Sequence, residues 1–558
     1  MSQESQERLE MRPGLFRRAT LGFAAFLGLA AAVWAAEPSQ VSPNVPVNAP
    51  QQLFPHDNPS RNSSTLAASG DGEELLAGFE DHQGLCGPPT GLACPPETPP
   101  GVSGFSFSTD GGQSWTDGGS LFALGNAITA GHPWADRLAR GGDDHHAGAN
   151  HRGHAGGHHG HDTYFLVSTM QDAETGIGAQ LGVYRGHFGA GTFVFDDGTI
   201  VGPPDPNDQY TRESMAAAKD GSAAAYVAVV NVKEICGVPL GGYGQIEIWR
   251  THDGGASWQG PAIVAKEGAD STDPNDPNCG ATGLLQVAPA VAIGPRGEVY
   301  VVWQSGPRFA ADGSNTPTDA IGFAASFDGG QTFSAPVSIQ GHNAMRDNPP
   351  VGYAKNRMND QARIAVAQSG PFRGRIYVGF YTPVAPVTGS PGSQSLVSSQ
   401  ALVMSSGDRG ATWSAPVPVD AAPPPTGLKR IWPTVSVRAN GDVDVVYLQS
   451  QEVATGTTCS VAFNPTSHRT GPVSSLVDTF LVRSRDGGAT FSAPLRVSSQ
   501  TSDWCTAPYS FHSFLLSNAG DYIGTASVDE GTLALWPDDR TGPMDTFYSS
   551  ILGGDEEP

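Results

Sequence analysis

The stretch that decides the fold is "SFDGGQTF", Ser326 to Phe333, because the chain repeats it. The same phrase occurs four more times, as "STDGGQSW" from Ser108, "THDGGASW" from Thr251, "SGDRGATW" from Ser406 and "SRDGGATF" from Ser484. In every copy an Asp is third, a Gly is fifth and an aromatic residue is eighth. Five copies of one short phrase indicate a structural unit that recurs along the chain.

The spacing of the copies gives the size of the unit. The third-position residues are Asp110, Asp253, Asp328, Asp408 and Asp486, and the first gap between them is nearly twice the others. The stretch "GVYRGHFGAGTFVF", Gly182 to Phe195, fills that gap with a copy that keeps Thr192-Phe193 and loses the Asp. The chain therefore contains six units of roughly 75 residues.

Each unit contains four short runs that are typical of strands. Around Ser326 these are "APAVAIGPRG", "EVYVVWQSG", "AIGFAAS" and "FSAPVSI", with the phrase as the turn before the last. Such β-branched and aromatic runs, punctuated by Gly and Pro, indicate antiparallel strands, and four per unit make a propeller blade. Residues 513–551 add strands without the phrase, and "QVSPNVPVN", Gln40 to Asn48, could close the ring. We expect an all-β propeller of seven blades, with six as the alternative.

The repeated phrase has a structural role on physical grounds. Gly permits positive φ in a tight turn, while Asp and Ser side chains accept backbone N–H bonds within it. The aromatic residue would bury itself and attach the turn to the blade. We therefore expect the five repeated Asp residues to hold the scaffold and take no part in chemistry.

The phrase S-x-D-x-G-x-[ST]-[WF] resembles the Asp-box of bacterial sialidase-like (BNR-repeat) propellers. The resemblance covers roughly residues 55 to 550 and implies a sialidase-like propeller over 61–552. The Asp-box also occurs in propellers that are not sialidases, so it favours the fold more strongly than the activity.

The N-terminus indicates export. Arg17-Arg18 precede an apolar run from Ala19 to Ala36, which predicts a signal peptide over 1–36, or an uncleaved membrane anchor, followed by an extension over 37–60. We expect a secreted or periplasmic protein.

A net charge of −24 argues against nucleic acid and anionic membranes as partners.

Six cysteines in an exported chain predict disulfides. Pairing by proximity in the sequence would give Cys86–Cys94, Cys236–Cys279 and Cys459–Cys505. Free thiols are the alternative.

Propellers bind ligands near the central axis, so residues at the start of each first strand are candidates. Counting back from the Gly after each first strand gives Arg61, Tyr210, Gln286, Asn359, Arg430 and Tyr509, with Arg212, Glu213 and Asp360 just beyond. Arg357 and Arg363 add to the positive charge of this ring in an otherwise acidic chain. Arg binds carboxylates bidentately, which predicts an axial pocket for an anionic sugar. Structural ion pairs between blades are the alternative role for these Arg residues.

The resemblance to sialidases implies specific roles. That family uses three Arg for the substrate carboxylate, a Tyr nucleophile with a Glu base, and an Asp acid. In chain order these roles fall on Arg61, Arg357 and Arg430 for binding, and on Tyr509, Glu213 and Asp136 for catalysis. The stretch "YSFHSFLLSNAGDYIG" from Tyr509 resembles the tyrosine strand of the family, whereas Arg61 lies in "SRNSS" and not in an F-R-I-P type motif.

The functional prediction is an exported propeller that recognises glycans and, if active, hydrolyses them as an exo-sialidase. A non-catalytic propeller that binds a glycan or a protein is the alternative. No cofactor is required in either case. The sequence leaves the oligomeric state open.

A His-rich insertion interrupts the second unit. The stretch "DDHHAGANHRGHAGGHHGHD", residues 143–162, carries seven His in 20 residues. Its Gly and Ala content indicates an insertion between strands. Imidazoles of His145, His146, His158, His159 and His161 could bind a divalent metal, but the tract lacks the defined spacing of a fixed site. We expect weak or adventitious binding there.

Overall fold

The structure is a computed structural model, and it describes residues 39–49, 61–82, 100–140, 161–176, 179–202, 208–235, 238–266, 284–307, 319–342, 350–353, 361–384, 398–454, 473–506 and 519–553. These residues belong to one compact unit, Ser39–Gly553. The predicted signal segment lies outside the described residues. No helix in the described ranges has the length and apolarity needed to cross a bilayer.

All regular structure in the described residues is β-strand. The first strands are β1 (Gln40–Val41), β2 (Val45–Pro46), β3 (Arg61–Ala68), β4 (Leu75–Asp81), β5 (Ser103–Ser108), β6 (Thr116–Ser120), β7 (Ala127–Leu138), β8 (Thr163–Asp172), β9 (Ala179–Gly189) and β10 (Thr192–Val201). The middle strands are β11 (Asp208–Ala217), β12 (Ala225–Ile235), β13 (Val238–Thr251), β14 (Gln259–Ala265), β15 (Leu284–Ile293), β16 (Val299–Pro307), β17 (Asp319–Ser326), β18 (Val337–His342), β19 (Arg363–Val366) and β20 (Ile376–Pro383). The last strands are β21 (Ser399–Ser406), β22 (Val417–Pro418), β23 (Leu428–Val437), β24 (Val443–Ala454), β25 (Val473–Ser484), β26 (Leu495–Arg496), β27 (Ser502–Asp503), β28 (Gly524–Val528), β29 (Gly531–Asp538) and β30 (Asp545–Leu552).

Successive strands pair antiparallel in runs of four, as the sequence predicts for a blade. The run that contains "SFDGGQTF" is β15, β16, β17 and β18, and the phrase makes the turn between β17 and β18. The protein is therefore a β-propeller of four-stranded antiparallel blades.

The predicted number of blades, seven or six, differs from the number of sheets in the described ranges, which is five. Two sheets are larger because each contains two consecutive four-strand runs. One parallel residue pair joins the runs in each, Gln209 with Ala179 and Ser399 with Lys429. Hydrogen bonding thus fuses neighbouring runs at these two places, which the strand pattern of the sequence does not indicate.

The first strands of the runs pack against one another in a circuit. The order is β3, β7, β11, β15, β19, β23, β28 and back to β3. Apolar clusters lie between neighbouring runs, such as the one that joins Val230 and Ile248 to Val301 and Trp303. The first strands therefore surround the centre, and the outer strands lie at the rim.

The N-terminal stretch that the sequence assigns to ring closure pairs with the last strand. Both β1 and β2 pair antiparallel with β30, through Gln40 with Leu552 and Val45 with Tyr548. Asn48 Nδ2 also donates to Asp545 Oδ1 at 2.9 Å. The two ends of the described chain thus share one sheet.

The five repeated turns have one geometry. At the third copy, Ser326 Oγ donates to Asp328 Oδ1 at 2.8 Å and accepts from Gly330 N at 2.9 Å. Asp328 Oδ1 and Oδ2 accept from the backbone N and hydroxyl of Thr332 at 3.0 and 2.6 Å. The same contacts recur around Asp110, Asp253, Asp408 and Asp486. Each carboxylate is therefore occupied inside its own turn.

The fifth and eighth positions of the phrase attach each turn to the neighbouring run. Gly410 has φ +88°, and a Cβ there would lie 2.3 Å from the ring of Phe323, so only Gly fits. Trp413 then packs edge-on against the same Phe323 with ring centres 5.2 Å apart. The aromatic residue packs against the preceding run, and this contact explains why Gly and the aromatic residue recur together.

Candidate functional site

Five first strands carry a bulge at the same place. In each, the antiparallel register breaks and one residue other than Gly adopts a positive φ. These residues are Ser63, His132, Arg212, Ala288 and Trp432. Such a conformation costs of order 1–3 kcal/mol and persists only where the surroundings impose it. The repeated bulge therefore shapes the part of each strand that faces the centre.

The ring position predicted from the sequence lies two residues before this bulge in four strands. The residues there are Arg61, Tyr210, Gln286 and Arg430. Their side chains bind within their own runs. Tyr210 Oη donates to Glu247 Oε2 at 2.9 Å, and Gln286 Oε1 accepts from Trp303 Nε1 at 2.5 Å. Counting back from the Gly after each first strand therefore finds structurally equivalent positions. Their side chains, however, already bind neighbouring side chains of the protein.

The two predicted binding arginines in the described residues already pair with carboxylates. Arg61 contacts Asp81 at 3.1 Å and Asp117 at 2.8 Å. Arg430 pairs with Asp420 at 2.5 Å and donates to the Ala422 carbonyl at 2.8 Å. Both guanidinium groups are buried and neutralised, which matches the alternative that these residues make structural ion pairs.

The other predicted site residues are dispersed. Asp136 accepts from Ala217 N and from Lys219 Nζ, both at 2.7 Å, and so links β7 to the end of β11. Arg357 and Tyr509 lie outside the described residues, as do Asn359 and Asp360. Their assigned roles stay predictions. Of the predicted residues that the structure describes, Glu213 and Arg363 belong to the central cluster described next.

Arg363, at the start of β19, reaches across the centre of the circuit. Its Cζ lies 4.7 Å from the ring centre of Trp134 in β7 and 4.8 Å from that of Tyr522, two residues before β28. β19 neighbours neither β7 nor β28 in the circuit, so these contacts place the three side chains at the centre. Neither terminal nitrogen of Arg363 has a hydrogen-bond partner in the described part of the chain. Burial lowers the pKa of this guanidinium to about 10.

A group of acids surrounds His132 near the same place. His132 Nε2 lies 3.9 Å from Glu80 Oε1 and 3.7 Å from Asp521 Oδ2, and Tyr353 Oη donates to Asp521 Oδ1 at 2.8 Å. Burial alone would raise the pKa of Glu80. Its contact with His82 and the nearness of His132 outweigh this effect and lower the pKa overall. Glu80 is therefore held as a carboxylate although it is buried.

The pKa of Glu213 is shifted in the opposite direction to that of Glu80. Glu213 follows the bulge residue of β11 and accepts from Thr169 N at 2.5 Å and from Thr169 Oγ1 at 2.6 Å. Burial raises its pKa to about 7, against the lowering effects of His132 and of the hydrogen bonds to Thr169. The centre thus holds one acid that stays ionised and one that carries a proton near neutral pH.

Tyr522 connects the acids to Arg363. Its hydroxyl donates to the Pro133 carbonyl at 3.0 Å. Burial raises the pKa of this phenol well above its ordinary value, and the charges of Glu80 and Glu213 add to the effect while Arg363 opposes it. Tyr522 is therefore a neutral phenol between the carboxyl groups and the guanidinium. We call Glu80, His132, Glu213, Arg363, Asp521 and Tyr522 the central cluster.

Sequence reasoning missed part of this cluster for identifiable reasons. The count along "YSFHSFLLSNAGDYIG" took Gly520 as the turn after a strand and selected Tyr509. In the structure β28 begins at Gly524, so Asp521 and Tyr522 lie just before the first strand of that run. Glu80 lies at the end of a second strand, where the count did not look. The signal for Tyr522 was present in the quoted stretch, whereas Glu80 had none.

The structure bears on two further predictions. The described residues contain no group of three or more His, Cys, Asp and Glu that could hold a metal ion. Of the His residues proposed as ligands, the structure describes only His161.

Cys505 is disulfide-bonded, and the other five cysteines lie outside the described residues. The three predicted pairings therefore stay predictions.

No protein-family model and no curated protein matches the chain. Among solved structures it is similar to an α-L-arabinofuranosidase of Fusarium graminearum in complex with an iminosugar inhibitor, with 15% identity and TM-score 0.44 over 78% of this chain and 97% of that one. It is also similar to an α-L-arabinanase of Penicillium chrysogenum complexed with arabinobiose, with 14% identity and TM-score 0.38 over 74% and 94%. A third is a mutant Trypanosoma rangeli sialidase displaying trans-sialidase activity, with 9% identity and TM-score 0.38 over 74% and 58%. Sialidases are thus among its structural neighbours.

Proposed function

We propose that this protein binds an anionic sugar at the central cluster, with Arg363 holding the acidic group of the sugar. The observation that carries the proposal is the buried Arg363 guanidinium, whose terminal nitrogens lack hydrogen-bond partners among the described residues. A buried charge without a partner costs several kcal/mol, so such a group is retained where something binds it. A carboxylate or a sulfate matches its two parallel N–H donors.

The surroundings of Arg363 suit a sugar. Trp134 and Tyr522 offer aromatic faces beside the guanidinium. Glu80 and Asp521 offer carboxylate oxygens that accept from sugar hydroxyls. A few convergent polar groups beside apolar surface are typical of small-ligand sites.

The proposal extends to cleavage of a glycosidic bond. Glycosidases use one protonated acid, which protonates the leaving oxygen, and one carboxylate, which acts as base or nucleophile. Two acids whose surroundings move their pKa values apart meet this requirement. Glu213, with a pKa of about 7, takes the role of the acid, and Glu80, whose pKa is lowered, takes that of the base. Both lie close to His132, which couples them.

The exo-sialidase form of this proposal is more specific. It adds Tyr509 as nucleophile and Arg357 as a second guanidinium on the substrate. Arg61 and Arg430 support it less, because each already pairs with a carboxylate, that of Asp81 and that of Asp420. Tyr522 is less suited than Tyr509 to act as the nucleophile, because burial raises the pKa of its phenol further and makes the proton harder for a base to remove.

A non-catalytic sugar-binding propeller is the second candidate. Thr169 occupies both oxygens of Glu213, which favours a structural role for this acid and leaves Arg363 as the recognition residue. Binding and cleavage are therefore measured separately.

Binding is tested by calorimetry on the purified chain with free N-acetylneuraminate and glucuronate, beside the neutral sugar N-acetylglucosamine. We expect the acidic sugars alone to bind, Arg363→Met to abolish binding, and Arg430→Ala to retain it. Binding that survives in folded Arg363→Met would contradict the proposal.

Cleavage is tested with fluorogenic glycosides, including an α-sialoside and a β-glucuronide. We expect turnover that falls at least 100-fold in Glu213→Gln. The matched control is Glu247→Gln, which alters a buried Glu of the same run away from the centre. Binding of the acidic sugars without turnover of any glycoside would select the non-catalytic candidate.

A further inference from the structure

The unit that lost the Asp of the repeated phrase has a different hairpin. Strands β9 and β10 pair along their whole length and are joined by Ala190-Gly191, both with positive φ. Such a two-residue turn needs no Asp side chain to hold it. This hairpin therefore has side chains available for another purpose.

A bulge in β10 directs one carboxylate towards a His. Phe195 pairs with Gly186 and Asp197 pairs with Arg185, so Asp196 lies outside the regular pairing. Asp196 Oδ1 lies 2.8 Å from His187 Nδ1. In a neutral imidazole, this carboxylate accepts from Nδ1–H and leaves the lone pair on Nε2. Carboxylates commonly orient metal-binding His residues in this way.

A second His lies against the first. The ring centres of His161 and His187 are 5.5 Å apart, with 28° between their planes. His161 is exposed, and 34% of the His187 side chain is accessible to solvent. Two imidazoles that share one metal at about 2.1 Å from each nitrogen have ring centres about 5–6 Å apart. The observed separation fits a shared ion.

We propose that His161 and His187 form a binding site for a divalent transition metal, with Asp196 orienting His187. Imidazole nitrogens suit Zn²⁺, Ni²⁺ and Cu²⁺, and water would complete the coordination. The carboxylate of Glu74 lies near His161 and favours a cation at this edge. The site is independent of the proposed sugar function, because it lies on an outer hairpin.

The proposed site lies next to the His-rich insertion, which could bind metal by itself. His161 is the last His of residues 143–162 and lies where that insertion returns to β8. Metal bound by the insertion alone must be separated from metal bound at the hairpin. A tract variant, with His145, His146, His151, His154, His158 and His159 changed to Asn, makes this separation and keeps His161.

The test is Cu²⁺ titration of the metal-free full chain, with pulsed electron paramagnetic resonance to count coordinated imidazole nitrogens. In the tract variant we expect one bound equivalent with two such nitrogens. Adding His187→Ala should lower affinity at least tenfold and leave one nitrogen. Adding Asp196→Asn should lower affinity about 10- to 100-fold, as for other groups that orient a ligand.

His252→Ala is the matched control, because His252 is an exposed His in one of the repeated turns and its ring packs against Tyr226 of β12. It should leave the affinity unchanged. His187→Gln serves as a second variant if His187→Ala unfolds. A tract variant that binds no Cu²⁺, or one whose affinity His187→Ala and His187→Gln leave unchanged, would overturn the proposal and leave only adventitious binding by the insertion.

Discussion

The repeated turns and the central cluster shift the pKa values of their charged groups in opposite senses: the turns favour the charged form, and the centre favours the neutral form. At the turns, the carboxylates are exposed and each accepts several hydrogen bonds, which lowers the pKa of Asp253 to about 2, chiefly through the Ser257 hydroxyl. At the centre, burial raises the pKa of Glu213 to about 7 and lowers that of Arg363 to about 10. Burial disfavours any charged form, so both groups shift towards neutrality.

The contrast separates scaffold from site. A turn that recurs five times, with its Asp carboxylate and its Ser or Thr hydroxyl hydrogen-bonded inside it, stabilises each run and leaves that carboxylate no part in binding a ligand. The central cluster combines residues that do not recur, and Arg363 joins it from a run that neighbours neither that of Trp134 nor that of Tyr522. Perturbed ionisation at such a place is typical of functional sites.

The largest expected effect is at Arg363. Arg363→Met should weaken binding of N-acetylneuraminate or glucuronate at least 100-fold, since the sugar loses its charged partner. The free energy of unfolding should not fall, because the substitution removes a buried charge without a hydrogen-bond partner in the described residues and keeps an apolar stem. Calorimetry and urea unfolding measure the two quantities.

Arg61→Met is the matched comparison for that prediction. It leaves Asp81 and Asp117 without their cation, so the free energy of unfolding should fall by about 3–5 kcal/mol. Equal losses of stability in the two variants would show that Arg363 is a structural residue.

The next effect in size is the pH dependence of stability at Glu213. Its pKa is about 7 when folded and about 4.3 when unfolded, so the unfolded chain loses this proton first as pH rises. This acid therefore lowers the free energy of unfolding by about 3 kcal/mol between pH 4 and pH 7. Glu213→Gln should lack this decrease. Urea unfolding at pH 4.5, 6 and 8 tests it, and parallel curves for wild type and variant would exclude a proton on Glu213.

The fold was predictable because its signal is local and repeated. The phrase around Asp328 specifies a turn by its own side chains, and the alternating runs beside it specify the strands. The fusion of runs into five sheets was not predictable, because it depends on single pairs such as Ser399 with Lys429, whose alignment is set by packing.

The site was predictable only in outline. The sequence placed Arg, Glu and Tyr at the starts of the first strands, and Glu213 lies in the central cluster. It could not separate Arg61, which pairs with Asp81 in the next strand, from Arg363, which pairs with no acid among the described residues. Pairing across strands and across the centre depends on three-dimensional position, and residue type alone does not reveal it.

The smallest expected effect is at a repeated turn. Asp253→Asn loses the charge that strengthens the hydrogen bonds from Ser257 N and Oγ, so the free energy of unfolding at pH 7 should fall by about 1 kcal/mol. The folded pKa lies below the unfolded one, so this contribution is present above pH 4 and is lost as pH falls towards 2. Urea unfolding at pH 7 and pH 2.5 checks both points. Asp408→Asn should behave alike, because its turn has the same contacts. Weaker sugar binding in either folded variant would contradict the claim that the repeated turns are structural and take no part in binding at the centre.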